Sequence, residues 1–186
     1  MLDDSEKQKL LNLARITLKT YLEGGKAPAY HTSCAGLIER KGAFVSLHNG
    51  DELRGCIGQL YPDRELYKVV QHCVLSAATE DTRFVPVHED EIADLSIEIS
   101  VLSPFRRIRD PEEIEVGKHG LYIVQGHFRG LLLPQVAVEY QWDRTAFLQH
   151  TCRKAGLPET AYLDPDTVIY AFEAEVFSDS SISAKQ

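Results

Sequence analysis

The dipeptide Asn49-Gly50 constrains the fold most strongly, because it lies between two segments with the composition of β-strands. Asn-Gly favours the tight turn that reverses an antiparallel hairpin. We therefore predict a strand over residues 42–47 and a returning strand over residues 53–60. An antiparallel sheet is the starting point for the fold.

Helices follow from apolar residues at helical spacing, which predicts amphipathic helices over residues 4–22, 63–79 and 143–155. Asp4 or Ser5 can cap the first of them. Gly24-Gly25 ends it, because glycine readily adopts the left-handed conformation found just past a helix.

Further strands are predicted along the second half of the chain. Residues 95–102 alternate apolar and polar side chains, and Glu98 falls on the polar face. Shorter strands are predicted over residues 121–124 and 129–133, with a last one over residues 168–177. Hairpins interleaved with long helices predict an α+β fold with a mostly antiparallel sheet and flanking helices.

The net charge of −8 argues against general binding to nucleic acid, whose affinity comes mostly from Lys and Arg contacts to phosphates. The densest basic stretch, Arg106-Arg107-Ile108-Arg109, is predicted to be a solvated loop after a strand, with a local basic patch as the alternative. No apolar run approaches the ~18 residues of a membrane span. The N-terminus lacks the basic-then-apolar order of a signal peptide. We expect a cytoplasmic protein.

The chain has four cysteines, and without a secretion signal free thiols are the better assumption. Cys73 and Cys152 fall on the apolar stripes of predicted helices, where a thiol packs as a small hydrophobe. His31 and Cys34 are two candidate metal ligands, which do not make a site. We predict neither a metal nor a bound cofactor.

Cys56 differs from the others, because it lies in the segment Leu-Arg-Gly-Cys-Ile-Gly (LRGCIG), residues 53–58, called here the Cys56 segment. On an extended strand, Arg54 and Cys56 project to the same face. A nearby guanidinium favours the thiolate and lowers a cysteine pKa.

Gly55 and Gly58 are costly inside a strand unless a bulge or a close approach requires them. Two interpretations remain open for this segment. It forms a pocket floor that holds an anion, or its glycines allow tight packing while Arg54 pairs with a carboxylate.

Nearby charged residues offer fewer signals. Glu98 is either exposed or faces a cleft, and Asp81 with Arg83 is predicted to form a structural ion pair at the end of the second helix. Metalloprotease, serine-hydrolase, phosphate-loop and dinucleotide-binding motifs are absent from the sequence.

The Cys56 segment resembles the hallmark of the AMMECR family, and other blocks agree with that family in the same order along nearly the whole chain. These blocks are Phe44–Leu47, Asp81–Phe84, Ile97–Leu102, Gly130–Val136, Trp142 with Phe147-Leu148, and Cys152–Leu157.

The resemblance implies a two-lobed α+β domain, with a larger lobe built from both chain ends and a smaller inserted lobe. From the pattern of strands we place the lobe boundaries near residues 41 and 90. The larger lobe then comprises residues 1–40 and 91–186, and the smaller one comprises residues 41–90.

The resemblance also implies partners. Relatives are encoded beside, or fused to, a Memo-type protein and a radical S-adenosylmethionine enzyme, in what is called the AmmeMemoRadiSam system, and this chain resembles its protein A. We expect an accessory or binding component that acts with those proteins through the Cys56 segment. A small-molecule or peptide ligand is compatible with this role.

The alternative is an enzyme that uses Cys56 as a nucleophile or redox thiol. Arg54 would then stabilise the thiolate or bind an anion, and Glu98 would move protons. The candidate catalytic residues are Cys56, Arg54 and Glu98. The candidate ligand-binding residues are Arg54, Gly55, Gly58, Arg83 and Gln135.

Overall fold

The computed structural model describes residues 1–179 and divides into two compact units. Unit 1 comprises Met1–Leu102 and the segment that begins at Glu175, and unit 2 comprises Ser103–Ala174. Each described sheet has four strands and is antiparallel, so the predicted α+β class is confirmed.

The described helices and strands have the following bounds in chain order. The helices are α1 (Asp4–Leu22), α2 (Ala35–Ile38), α3 (Leu66–Thr79), α4 (Pro134–Glu139) and α5 (Arg144–Lys154). The strands are β1 (Ala43–Asn49), β2 (Glu52–Gln59), β3 (Leu95–Leu102), β4 (Arg106–Ile108), β5 (Gly120–Gln125), β6 (Phe128–Leu132), β7 (Val168–Phe172) and β8 (Ala174–Ser178).

The N-terminal helix has the predicted bounds, but Asp3 caps it instead of Asp4 or Ser5. The Asp3 carboxylate accepts a hydrogen bond from the Glu6 N–H at 2.7 Å, and the Glu6 carboxylate accepts one from the Asp3 N–H at 3.1 Å. This reciprocal capping box satisfies two backbone donors that the helix itself leaves unpaired.

The sheet of unit 1 has the strand order β2-β1-β3-β8. The hairpin between β1 and β2 turns at Gly50, whose φ of 58° confirms the predicted Asn-Gly turn. One face of this sheet packs against α3 and α1. The core there is formed by side chains from both layers: Leu10, Leu18, Val45, Leu47, Val69, Cys73, Ile97 and Ile99.

The lobe boundaries differ from those placed near residues 41 and 90. The reason is strand pairing: β1 pairs with β2 on one side and with β3 on the other. Residues 41–90 therefore share a sheet and a core with β3, and the observed breaks fall after Leu102 and after Ala174.

Unit 2 has its own sheet, in the order β4-β7-β5-β6, and its own core. Helix α5 contacts β5 and β6 and contributes Phe147, Leu148 and Cys152 to that core. Cys73 and Cys152 are both fully buried, which confirms that these two thiols pack as apolar groups. Burial raises the pKa of Cys73 to about 12.

Two expectations for the second half of the chain are corrected. Residues 106–108 are not a loop but the edge strand β4, which pairs with β7. Residues 168–177 form two strands, because Glu173 interrupts them by bonding through its N–H and C=O to Ser103. Pro134 ends β6 as predicted but also starts α4, since proline suits the first turn of a helix.

No helix within residues 1–179 combines the length and apolar character that a bilayer crossing requires.

The close packing of α3 on β2 depends on Gly55. A Cβ atom at Gly55 would lie 2.1 Å from the backbone oxygen of Ala77 in α3, whereas one at Gly58 would lie 2.2 Å from the Phe44 ring. A ring can rotate away and a helix backbone cannot. We therefore expect Gly55→Ala to lower the free energy of unfolding by about 3 kcal/mol, and Gly58→Ala by about 1–2 kcal/mol.

Urea unfolding of the two variants, followed by circular dichroism, measures this difference. A smaller loss for Gly55→Ala than for Gly58→Ala would contradict the described contact between β2 and α3.

Candidate functional site

Cys56 lies on the face of the unit 1 sheet that points away from α3. Its partner on β1 is Ser46, while the neighbouring β1 residues Val45 and Leu47 are fully buried in the core. Successive side chains on a strand alternate between faces, so Ser46 and Cys56 both lie on the opposite face. Both residues are half-buried.

The predicted shared face of Arg54 and Cys56 does not follow from simple alternation, because β2 has an irregular register at this point. Leu47 pairs with Gly55 and His48 pairs with Leu53, which leaves Arg54 as an extra residue. An extra residue of this kind is a β-bulge, and it breaks the strict alternation of side chains.

The Arg54 side chain is held by Glu91. Its Nε and one terminal nitrogen donate to the two carboxylate oxygens of Glu91 at 2.8 and 2.9 Å, a two-point ion pair. The remaining donors bind the carbonyl oxygens of Val85 at 2.7 Å and Pro86 at 3.3 Å. The interpretation in which Arg54 pairs with a carboxylate and Gly55 allows tight packing is the one observed.

The polar atoms of Cys56 are engaged by three other residues. The Ser46 hydroxyl donates to Sγ at 3.2 Å, the Asp81 carboxylate accepts from the Cys56 N–H at 2.9 Å, and Arg83 donates to the Cys56 carbonyl oxygen at 3.4 Å. Burial raises the pKa of the Cys56 thiol, and the charges of Asp81 and Glu98 act in the same direction. The Ser46 hydrogen bond and the charge of Arg83 oppose that rise without cancelling it.

The thiol of Cys56 is therefore protonated at neutral pH. The nearby cation that favours its thiolate is Arg83, and this corrects the role expected of Arg54.

Asp81 links the end of α3 to the Cys56 segment. Its carboxylate is nearly buried and accepts four hydrogen bonds, three from Arg83 and one from the Cys56 N–H. The Arg83 guanidinium, at 2.6 and 2.9 Å, holds the pKa of the Asp81 carboxyl well below its usual range. The predicted ion pair between Asp81 and Arg83 is confirmed.

A row of three polar side chains crosses this face of the sheet: Cys56 on β2, Ser46 on β1 and Glu98 on β3. Ser46 pairs directly with both of the others, and residues paired across antiparallel strands have Cβ atoms about 5 Å apart. We call these three residues the polar row. Glu98 is half-buried, and its charge reaches the Cys56 thiol.

Ser46 was missed as a site residue in the sequence. The signal that was available is the alternation in Phe44-Val45-Ser46-Leu47, which places Ser46 on the polar face once the partner strand is known.

The other predicted ligand-binding residues, Gly55, Gly58 and Gln135, lie on different faces or in different units. Gly58 shares the face of Cys56 and touches Phe44, while Gly55 faces α3. Gln135 belongs to α4 in unit 2, where its buried side-chain oxygen has no hydrogen-bond partner among residues 1–179.

In the described part of the chain, no group of three or more His, Cys, Asp and Glu side chains is arranged so that it could hold a metal ion. Cys34 instead accepts a hydrogen bond from Lys9 Nζ at 3.1 Å. Hydrogen bonding by Thr32, and then by Lys9, lowers the pKa of the Cys34 thiol.

Comparison with known proteins gives matches along most of the chain. A family model described as AMMECR1 matches residues 11–177. A protein of Methanosarcina mazei is 40% identical over 96% of this chain and 94% of its own length. One of Methanopyrus kandleri is 43% identical over 94% of this chain and 88% of its own. The crystal structure of an uncharacterized protein from Pyrococcus horikoshii matches with a TM-score of 0.86 at 40% identity, over 91% of this chain and 89% of that one.

The Asp81 carboxylate makes the free energy of unfolding depend on pH. Because its pKa is depressed in the folded protein, its stabilisation is complete above the unfolded value of about 4 and declines as the pH falls below it. We expect Asp81→Asn to lower the free energy of unfolding by about 2–3 kcal/mol at pH 7, and by less at pH 3.

Arg83→Gln is the companion variant, because it removes the other half of the same ion pair and leaves the nearly buried Asp81 carboxylate without its cation. We expect it to cost about 1–2 kcal/mol at pH 7, less than Asp81→Asn because the Arg83 side chain is itself 56% exposed. Urea unfolding at both pH values measures these effects. An equal loss for Asp81→Asn at pH 7 and pH 3 would contradict the assignment of a depressed pKa to this carboxyl.

Proposed function

We propose that this chain, which belongs to the AMMECR1 family, is a binding protein that acts as an accessory to a Memo-type protein and a radical S-adenosylmethionine enzyme. The proposed contact surface is the polar row of Cys56, Ser46 and Glu98. The observation that carries the proposal is that the Cys56 thiol is hydrogen-bonded and has a raised pKa. Such a thiol is suited to positioning and contact more than to nucleophilic attack.

The edge of the sheet at Cys56 is closed to a partner strand, which leaves the face as the surface for docking. Strand β2 ends the strand order of the unit 1 sheet, and an open edge invites pairing with another chain. At Cys56 both backbone groups are already occupied, the N–H by Asp81 and the C=O by Arg83. A partner strand cannot use these groups without displacing an ion pair, so the side chains of the face remain for recognition.

The charge of the face supports a partner with hydrogen-bond donors or positive charge. Glu98 is half-buried and has no salt bridge among residues 1–179. Two arginines of unit 1, Arg54 and Arg83, are neutralised by Glu91 and Asp81. The polar row thus offers one unpaired carboxylate beside a hydroxyl and a thiol.

The alternative is an enzyme in which Cys56 is a nucleophile or redox thiol. One observation favours it: the polar row lines up a thiol, a hydroxyl and a carboxylate on three adjacent strands. Against it, burial raises the Cys56 pKa, and Arg54 is engaged by Glu91 and two carbonyl oxygens. The accessory role is therefore the better supported of the two.

Co-elution of the purified chain with the Memo-type protein and the radical enzyme of the same genome tests the proposal. We expect the wild-type chain to associate with at least one of them. Because Glu98→Arg reverses the free charge of the polar row, it should weaken that association at least tenfold. Glu23→Arg makes the same charge change at the end of α1, and should leave the association within about twofold of wild type.

Two results would overturn the proposal. One is the absence of any association of the wild-type chain with either partner. The other is an equal effect of Glu98→Arg and Glu23→Arg, which would assign the association to net charge instead of the polar row.

A further inference from the structure

Unit 2 contains a cleft of about 480 Å³ beside β4 and β7. Its chemically active lining consists of Arg107, Arg109, Tyr162, Asp164 and Thr167, and Leu163 adds an apolar wall. A cleft of this volume has the usual dimensions of a small-molecule site, and its lining is mainly polar. It lies on the basic stretch that sequence patterns alone assigned to a solvated loop.

The two arginines of the cleft are free. Among residues 1–179, neither the Arg107 nor the Arg109 side chain makes a salt bridge or a hydrogen bond. Their neighbour Arg106 differs, since it binds the Glu113 carboxylate at 2.6 Å. Two unpaired guanidinium groups in a concave surface form a site for a phosphate or carboxylate, which they can bind at two points.

A buried hydroxyl in the same lining has no partner. The Thr167 side-chain oxygen is inaccessible to solvent and makes no hydrogen bond within the described residues. Leaving such a group unsatisfied costs free energy, which a ligand atom recovers when the Thr167 side chain rotates its hydroxyl into the cleft that it lines. Thr167 is held in place through its own N–H, which donates to the Asp164 carbonyl oxygen at 3.0 Å.

The Asp164 carboxylate selects among anions. One of its oxygens already accepts a hydrogen bond from the Asp166 N–H at 2.9 Å, so the side chain is fixed at the rim of the turn. A carboxylate in the lining repels a second negative group and favours a hydroxyl donor. The ligand therefore needs one anionic group for the arginines and at least one hydroxyl.

We infer that unit 2 binds a small hydroxylated organic anion in this cleft. Arg107 and Arg109 bind its phosphate or carboxylate group, Thr167 and Asp164 bind its hydroxyl groups, and Leu163 covers its carbon skeleton. The site is independent of the polar row in unit 1.

Calorimetric titration of the full chain tests this inference with four defined probes: glycerol 3-phosphate, glycerate, inorganic phosphate and glycerol. We expect at least one of the two hydroxylated anions to bind, the neutral glycerol not to bind, and inorganic phosphate to bind at least fivefold more weakly than the better anion. The stronger of the two hydroxylated anions shows whether the arginines select a phosphate or a carboxylate.

Four variants distinguish binding in the cleft from a general attraction of anions to positive charge. Arg107→Gln and Arg109→Gln should each weaken the better probe at least tenfold, and Thr167→Val should weaken it about fivefold. Arg106→Gln removes the same charge from the same strand but outside this cleft. The affinity of this variant for the better probe should therefore stay within twofold of wild type. Circular dichroism checks that each variant is folded.

Three results would overturn the inference. They are no binding of either hydroxylated anion at millimolar concentration, equal weakening by Arg106→Gln and Arg107→Gln, and binding of inorganic phosphate as tight as that of the better hydroxylated anion.

Discussion

The geometry of the Cys56 segment depends on the hydrogen bonds that the Asp81 carboxylate accepts. It is nearly buried, and it joins the end of α3 to β2 by accepting hydrogen bonds from Arg83 and from the Cys56 N–H. Its position follows from packing one turn earlier. Because Gly55 has no side chain, the Ala77 backbone of α3 comes close enough for Asp81, four residues later, to reach Cys56. Gly55 and Asp81 thus together fix the position of β2 against the end of α3.

The same contacts decide which charges of unit 1 are available to a ligand or partner. Arg54 and Arg83 look alike in the sequence as candidate anion binders, yet each is neutralised by an acidic neighbour, Glu91 and Asp81 respectively. Glu98 remains unpaired among the described residues. In unit 2 the situation is reversed, because Arg107 and Arg109 have no acidic partner there. The Cys56 face is therefore weakly acidic, and the cleft of unit 2 is basic.

Local features could be predicted from the sequence. The three long helices α1, α3 and α5, the turn at Gly50 and the alternation of β3 depend on spacing along the chain, and the Asp81–Arg83 pair spans only two residues. Features that depend on distant pairing could not be predicted. The bulge at Arg54 is a property of the register between β1 and β2, and the strand β4 exists because β7 pairs with it.

The candidate site likewise combines residues that local patterns identify with one that depends on distant strand pairing. Cys56 and Glu98 could be selected from a motif and an alternating face, but Ser46 joins them only when three strands are in register. The break at Glu173 depends on a contact with Ser103, seventy residues earlier, which no local pattern reveals.

The central claim is that Cys56 is a positioned, protonated thiol, and its rate of alkylation as a function of pH tests this most directly. Peptide mass spectrometry resolves the four cysteines in one native sample. The account predicts that Cys56 reacts appreciably only above the ordinary thiol pKa of about 8.5, that Cys34 reacts at lower pH, and that Cys73 and Cys152 stay protected. Rapid alkylation of Cys56 at or below pH 7, as fast as that of Cys34, would contradict the account and establish an activated thiolate.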